Sequence, residues 1–171
     1  MENRINGKNL IAYNAHETER MIALHGSELA TFSRRAGAFL LDVAIASGLF
    51  VITTSLLEPF LINHGWIKSD QDIVFALNKN WYSVAWIVLY FGLAVFIGNG
   101  KSLGKWIFGI RVVSVVHRKM SFWHSIERAF GYGFSLMEFF FGFIQYFIYP
   151  NRRTLHDRIA DTIVIRERKK L

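Results

Sequence analysis

The stretch that decides the fold is AGAFLLDVAIASGLFVITTSLL, residues 36–57, an apolar run that one charged residue, Asp42, interrupts. About 20 such residues in a helix are enough to cross the hydrocarbon core of a bilayer. A second run, WYSVAWIVLYFGLAVFI at residues 81–97, has no charge and begins with the Trp-Tyr pair typical of a membrane interface. The two runs predict two transmembrane helices.

The composition agrees with a membrane protein. The chain has 171 residues, of which 52% are hydrophobic and 16% aromatic, more than is usual for a soluble domain. It has no cysteine, which excludes disulfides, thiol nucleophiles and Cys-ligated zinc. The basic residues behind the net charge of +7 flank the apolar runs, so we expect the partner to be anionic headgroups at the cytoplasmic face and not nucleic acid. The six histidines are scattered and no nucleophile stands beside a base, so we predict no enzyme, no metal and no cofactor.

A third apolar block, residues 129–149, is aromatic-rich and conflicts with the distribution of positive charge. Lys and Arg number five before the first span, two at 58–80, six at 99–128 and seven at 150–171. Because cytoplasmic loops are enriched in Lys and Arg, the N-terminus, the 99–128 loop and the C-terminal tail should all be cytoplasmic. Three full crossings would separate the last two. One alternative is a broken, re-entrant segment from Phe122 to Tyr149, whose 28 residues are too few for two full spans but enough for a shallow hairpin, with Gly131, Gly133 and Gly142 supplying the bend. The other is a plain third span with the basic tail outside.

Two short β-rich stretches favour the re-entrant alternative. Arg111–Val116 and Thr162–Ile165 have the composition of strands, and they can pair only if they lie on one side of the membrane.

We therefore predict an all-α integral membrane protein, a small polytopic helical bundle with short cytoplasmic amphipathic and β pieces. A polar cytoplasmic segment at 1–33, with a surface helix or disorder at 9–32, precedes the membrane domain at 34–166, and a basic tail at 167–171 follows it. A transporter of this size is expected to form a homo-oligomer. Small residues on the first span would permit close helix contact, namely Gly37, Ala38, Ala44 and Gly48.

Arg35, Ala38 and Asp42 lie at i, i+3 and i+7 and therefore share one helix face. Asp42 lies about 10 Å deeper than Arg35 at 1.5 Å per residue. A carboxylate at such a depth costs at least roughly 2.5 to 3.5 kcal/mol, so it should face a partner or a water-filled cavity. Asp42 either binds a cation or relays protons, or it is a structural acid neutralised by Arg128 or Arg111. The second acid in an apolar block, Glu138, has the same two interpretations, of which the structural one is favoured.

These residues belong to three motifs in a fixed order. Arg35-x-x-Ala38-x-x-x-Asp42 opens the first span; Gly100-Lys-Ser-Leu-Gly104-Lys105 leads on to Gly109 and Arg111-Val112-Val113; and His156-Asp157 precedes Ala160 and Thr162-Ile163-Val164. Together the motifs resemble the signature of the RDD family of small membrane proteins, whose three letters would map here to Arg35, Asp42 and Asp157. The resemblance covers residues 34–166, with one departure at Asp161, where the pattern usually has glycine.

The resemblance implies a bacterial inner-membrane protein and transport, including exchange of sodium or another monovalent cation for protons. Asp42 would then be the ion or proton site, Arg35 its electrostatic partner and Asp157 a charge at the cytoplasmic mouth, with His156 collecting protons. The alternative is a non-catalytic scaffold or accessory subunit that binds another membrane protein. In that case Asp157 neutralises Arg35 or Arg111, and His156 or Asp157 caps a short helix. Gly100 and Gly104 are expected to form a tight turn, with Lys101 and Lys105 meeting lipid phosphates.

Overall fold

The computed structural model describes residues 19–66, 68, 73, 75–76, 80–117, 121–137 and 141–167. Their elements, in chain order, are α1 (Glu19–Ala23), α2 (Phe32–Asn63), α3 (Trp81–Ile97), α4 (Leu103–Ile107), β1 (Ile110–Ser114), α5 (Phe122–Met137), α6 (Phe141–Ile148), α7 (Leu155–Ile159) and β2 (Thr162–Arg166). The predicted mostly helical fold with short β pieces is confirmed. Of the segment predicted to form a surface helix or disorder at 9–32, residues 9–18 lie outside the described residues. The described part contains the short helix α1, and its residues Leu24, Leu29 and Ala30 are buried and not at the surface.

Helix α2 contains the first predicted span but is longer at both ends. It has 32 residues, about 48 Å at 1.5 Å per residue, and continues to Asn63 with Pro59 inside it. The prediction that the helix ends near Glu58-Pro59 was wrong. Proline removes one N–H donor and disfavours helix in the residue before it, but the apolar residues that follow Pro59 continue the helix. Among the described helices, α2 is long and apolar enough to cross a membrane.

Helix α3 begins and ends where the second apolar run predicted, at Trp81 and Ile97. Its 17 residues make it about 26 Å long, slightly less than the roughly 30 Å of a hydrocarbon core. It packs along α5, where Val88 and Phe91 meet Ala129 and Tyr132 in a buried cluster. The indole Nε1–H of Trp86 donates to the Ala46 carbonyl at 2.9 Å and fastens α3 to α2.

The third apolar block contains two described helices, and the residues between them, 138–140, lie outside the described part of the chain. Helix α5 begins at Phe122, where the re-entrant alternative began, and α6 begins at Phe141. The proposed hinge glycines lie inside these helices and not between them. A Cβ atom on Gly131 would meet the backbone and side chain of His156, so this glycine permits close packing of α5 against α7 and does not bend the chain.

The two predicted strands are confirmed and pair with each other. β1 and β2 are antiparallel, with Val112 opposite Val164. The chain before α2 adds to the free edge of β2, because the Ala30 N–H donates to the Val164 carbonyl at 2.9 Å and Leu29 bridges Ile165. The sheet thus joins the region before α2, the loop after α3 and the end of the chain. Its inner face packs on Ala38 and Val95, which places the start of α2 over the sheet.

Candidate functional site

Asp42 is fully buried and accepts hydrogen bonds at both carboxylate oxygens. Oδ1 accepts from the backbone N–H of Gly104 at 2.8 Å and from the Tyr90 hydroxyl at 3.4 Å. Oδ2 accepts from the Ser102 hydroxyl and, at 3.3 Å, from the Lys105 ammonium. The Lys105 ammonium also donates to Ser102 Oγ at 3.0 Å. The predicted deep acid therefore has an ionic partner and a set of hydroxyl neighbours.

That ionic partner is not one of those predicted from the sequence. Arg35 was expected to face Asp42, with Arg128 or Arg111 as alternatives. Arg35 and Asp42 do share the inward face of α2, but their charged groups lie at different levels, and Lys105 from α4 is the residue whose ammonium reaches Asp42. The helical face was correctly predicted and the pairing was wrong.

Asp157 forms a second buried charge cluster. Arg35 Nη1 lies 2.6 Å from its Oδ2, and Arg128 Nη1 lies 2.5 Å from its Oδ1. Arg128 also donates to the Thr162 hydroxyl at 2.7 Å, which ties α5 to β2. The interpretation in which Asp157 neutralises Arg35 is confirmed. The expected helix cap is confirmed too, since the Thr154 N–H donates to Asp157 Oδ2 at 3.2 Å in a capping box at the start of α7.

The cluster sets the charges of its two titratable members. Burial alone would raise the pKa of Asp157, but the guanidinium groups of Arg128 and Arg35 outweigh it and hold that pKa well below its usual range. Burial is the main cause that lowers the pKa of His156, to about 3, and the neighbouring cations of Arg128 and Arg35 lower it further. His156 is therefore neutral at physiological pH, with its Nε2 2.9 Å from the Thr154 hydroxyl and its ring 4.2 Å from that of Tyr132.

The two clusters contain the letters of the RDD signature, and comparison with known proteins agrees with them. The model of the RDD family matches residues 29–161. The chain belongs to the RDD family. It is 30% identical over 143 residues to "Uncharacterized membrane protein YteJ" of Bacillus subtilis (strain 168), which covers 81% of this chain and 82% of that relative. It is also 28% identical over 121 residues to "Uncharacterized protein YxaI" of the same strain, covering 71% and 79%. No solved structure matches it. As an RDD protein with a relative described as a membrane protein, this chain is a membrane protein.

The second RDD motif forms the turn that the sequence predicted. Gly100 has a positive φ of 92°, and a Cβ atom there would overlap the Val112 carbonyl. A Cβ atom on Gly104 would overlap the Ala38 carbonyl and the Asp42 carboxylate, so this glycine lets α4 approach α2 closely. The tight turn is confirmed, and the close approach is its consequence.

The two lysines of this motif do not have the environment expected of lipid-phosphate contacts. Lys105 is 4% exposed and its ammonium lies against Asp42, so that part of the prediction was wrong. Lys101 Nζ lies 2.6 Å from a carboxylate oxygen of Glu167, which also contacts Arg111 at 3.0 Å. The segment predicted as a basic tail therefore begins with an acid that pairs with the turn. Glu138 lies outside the described residues.

Reasoning from the sequence missed the hydroxyl groups of these clusters. Ser102 is the N-cap of α4 and accepts from the Lys105 N–H as well as donating to Asp42. A serine directly before the first residue of a helix is a common N-cap, so this role of Ser102 could have been predicted from the sequence. Tyr90 carries no such signal, because its spacing in an apolar helix is that of any core aromatic. Among the described residues, no group of three or more His, Asp or Glu side chains is placed to hold a metal ion.

Proposed function

We propose that this RDD protein is a multi-pass membrane transporter that exchanges a monovalent cation for a proton at the Asp42–Lys105 pair. The observation that carries the proposal is the set of groups around Asp42, a fully buried carboxylate on the longest apolar helix. Ionisable groups buried in membrane helices are costly and commonly mark ion or proton pathways. The family and the membrane relative support the membrane setting, and the exchange itself is our inference from the geometry.

The groups at Asp42 suit a small hard cation. The two carboxylate oxygens and the hydroxyl oxygens of Ser102 and Tyr90 lie together, and hard cations prefer oxygen ligands. The ammonium of Lys105 already supplies one positive charge beside the carboxylate. When a cation takes its place, Lys105 releases one proton and becomes a neutral amine. One positive charge enters the pair as one leaves, so the buried site keeps its net charge throughout the exchange.

The paired strands support a specific topology within this proposal. Because β1 and β2 are hydrogen-bonded, the segments on either side of the α5–α6 pair lie on one side of the membrane. Helix α6 has eight residues, about 12 Å, which is too short for a full crossing. We therefore place the sheet, α4 and α7 at the cytoplasmic face of the cell membrane, with α2 and α3 crossing and α5–α6 re-entering. The N-terminus is then cytoplasmic and the basic surface faces anionic headgroups.

A homo-oligomer completes the proposal, since 171 residues enclose little of a pathway. Of the four small residues predicted to allow close contact, Gly37 is covered by Phe108 and Ala38 is buried. Ala44 and Gly48 remain exposed on α2, four residues apart, and nothing lies within 4 Å of a Cβ atom placed on Gly48. Small residues at this spacing permit close helix approach in membranes.

The test is cation-driven collapse of a preset pH gradient in proteoliposomes that contain the full chain, with sodium or potassium outside. We expect flux from the native protein and none from Asp42→Asn or Lys105→Gln that still elute as folded protein. Lys101→Gln is the matched control, because this lysine lies in the same turn but pairs at the surface with Glu167. It should keep the native flux.

A non-catalytic scaffold or accessory subunit is the second candidate. The observation that favours it is that both oxygens of Asp42 already accept hydrogen bonds from the protein, which is how a purely structural acid would be held. In that case Asp42→Asn would lower stability or expression, and the native chain would show no flux with any tested cation or pH. Native flux that Asp42→Asn retains in full would also reject the exchange site.

A further inference from the structure

A cavity of about 320 Å³ lies beside both charge clusters, between the start of α2 and helices α5 and α6. Its wall is mainly apolar and includes Phe39 and Tyr132. Part of the lining reaches the outer surface of the protein, since Leu40, Ile144 and Phe147 are 67%, 47% and 59% exposed. In a membrane protein, an opening bordered by exposed apolar side chains faces lipid chains and not water. The cavity is therefore accessible from the bilayer.

The charged groups in the cavity wall are unbalanced. Three cations line it, namely Arg35, Lys105 and Arg128, and two carboxylates, Asp42 and Asp157, pair with them. His156 also lines the cavity and is neutral because burial lowers its pKa to about 3. Within the part of the chain that the structure describes, one positive charge is left without a counter-charge. This excess favours a ligand with one negative charge.

Unused donors support the same conclusion. The buried Nε–H groups of Arg35 and Arg128 have no hydrogen-bond acceptor among the described residues, although both side chains line the cavity. A buried donor without an acceptor costs roughly 1–3 kcal/mol, so a rotation of the Arg35 side chain that turns its guanidinium toward an oxyanion in the cavity would be stabilised. Arginine is also the residue that best matches phosphate oxygens. Arg35, at 11% exposure of its side chain, is the most accessible of the three cations.

We propose that this cavity binds an anionic phospholipid of the surrounding leaflet, with one acyl chain in the apolar space and the phosphate on Arg35. The volume is at the lower end of the range for ligand pockets, roughly 300–1,000 Å³, which suits one chain and not a whole lipid. Arg35 lies in the first turn of α2, which the topology proposed above places at the cytoplasmic headgroup level. Basic pockets between membrane helices at the cytoplasmic side are known to take anionic headgroups. The placement of the lipid rests on the proposed topology, but its binding can be measured whether or not the chain exchanges cations.

The experiment is native mass spectrometry of the full chain in neutral detergent with defined lipids. We expect dioleoyl phosphatidylglycerol to bind at least about tenfold more tightly than dioleoyl phosphatidylcholine, equivalent to about 1.4 kcal/mol. Glycerophosphoglycerol, which has the headgroup without chains, should not bind. Equal retention of the two phospholipids, binding of the free headgroup, or oleate binding as tightly as phosphatidylglycerol would each overturn the proposal.

Two variants and one control test the location. Ile144→Trp, on α6, and Leu40→Trp, on α2, add bulk to the cavity lining and should each abolish the preference for phosphatidylglycerol. Leu89→Trp is the matched control, because Leu89 is 47% exposed, as Ile144 is, but lies on α3 away from the cavity. It should bind as the native chain does. Native-like selectivity in both cavity variants would place the lipid elsewhere and reject the site.

Discussion

Replacing Asp157 with asparagine tests whether the second charge cluster holds the fold together. The carboxylate is fully buried between the guanidinium groups of Arg128 and Arg35, at 2.5 and 2.6 Å. Asparagine keeps the volume and can still accept from the Thr154 N–H, so the capping box survives and the loss is one of charge. Removing one partner of a buried ion pair costs roughly 3–5 kcal/mol because the remaining charge stays uncompensated. We expect Asp157→Asn to lower the free energy of unfolding by about that amount.

The assay is denaturant unfolding in mixed micelles, followed by tryptophan fluorescence. Asp161→Asn is the control, since Asp161 is 56% exposed and pairs only with Arg153 at 3.0 Å among the described residues. A surface pair of this kind contributes about 0–1 kcal/mol. A second test adds Arg128→Met to Asp157→Asn, and the double variant should lose less stability than the sum of the two single variants. If the two aspartate variants differ by less than about 1 kcal/mol, the reasoning about the buried cluster is refuted.

Three further predictions use the same unfolding assay. Between about pH 7 and pH 5, His156 gains a proton in the unfolded state but stays neutral in the folded state, where its pKa is about 3. The free energy of unfolding should therefore fall by about 2 kcal/mol over this range, and by much less in His156→Gln. Gly104→Ala should cost roughly 1–3 kcal/mol by forcing α4 from Asp42, whereas Gly48→Ala, with open space around it, should be neutral or stabilising by up to about 1 kcal/mol. Trp86→Phe, which loses the donor to the Ala46 carbonyl, should cost about 0.5–1.5 kcal/mol. A free energy of unfolding that does not change with pH would contradict the neutral, buried His156. Equal stability of the two glycine variants would contradict the close approach at Gly104, and native stability of Trp86→Phe would contradict the hydrogen bond to Ala46.

The sequence predicted helices and strands best where one signal was unopposed. The uncharged run of α3 gave both ends of that helix, and β-branched residues gave β1 and β2. The re-entrant alternative gave the start of α5 at Phe122, whereas the apolar block alone began only at Ala129, because the first turns of α5 mix polar and apolar residues. The end of α2 was missed because proline changes the local probability of helix but does not forbid it. At Pro59 the local preference against helix competes with the apolar residues on both sides of it, and the helix continues to Asn63.

In the site, the arrangement of residues on one helix was predicted, whereas the ion pair that Asp42 forms with another element was not. The shared face of Arg35 and Asp42 follows from helix geometry alone and was predicted. Which cation reaches which acid depends on how α4 and α7 dock on α2, and spacing along one helix contains no information about docking. Lys105 was therefore assigned to the membrane surface, although its neighbour Gly104 brings it against Asp42. The glycine that permits this approach was visible in the sequence, but its contact partner was not.

The RDD signature describes two attachments of a single helix. Asp42 joins α2 to the start of α4 through Gly104 and Lys105, and Arg35, about 10 Å away along the same face, joins α2 to the start of α7 through Asp157. In the first attachment α2 supplies the acid, Asp42, and α4 supplies the cation, Lys105. In the second attachment α2 supplies the cation, Arg35, and α7 supplies the acid, Asp157. A lysine can release its proton, whereas an arginine stays charged. Of the two attachments, the Asp42–Lys105 pair is therefore the one whose charge could change in the exchange we propose, while the Arg35–Asp157 pair, with its arginine, holds α7 against the start of α2.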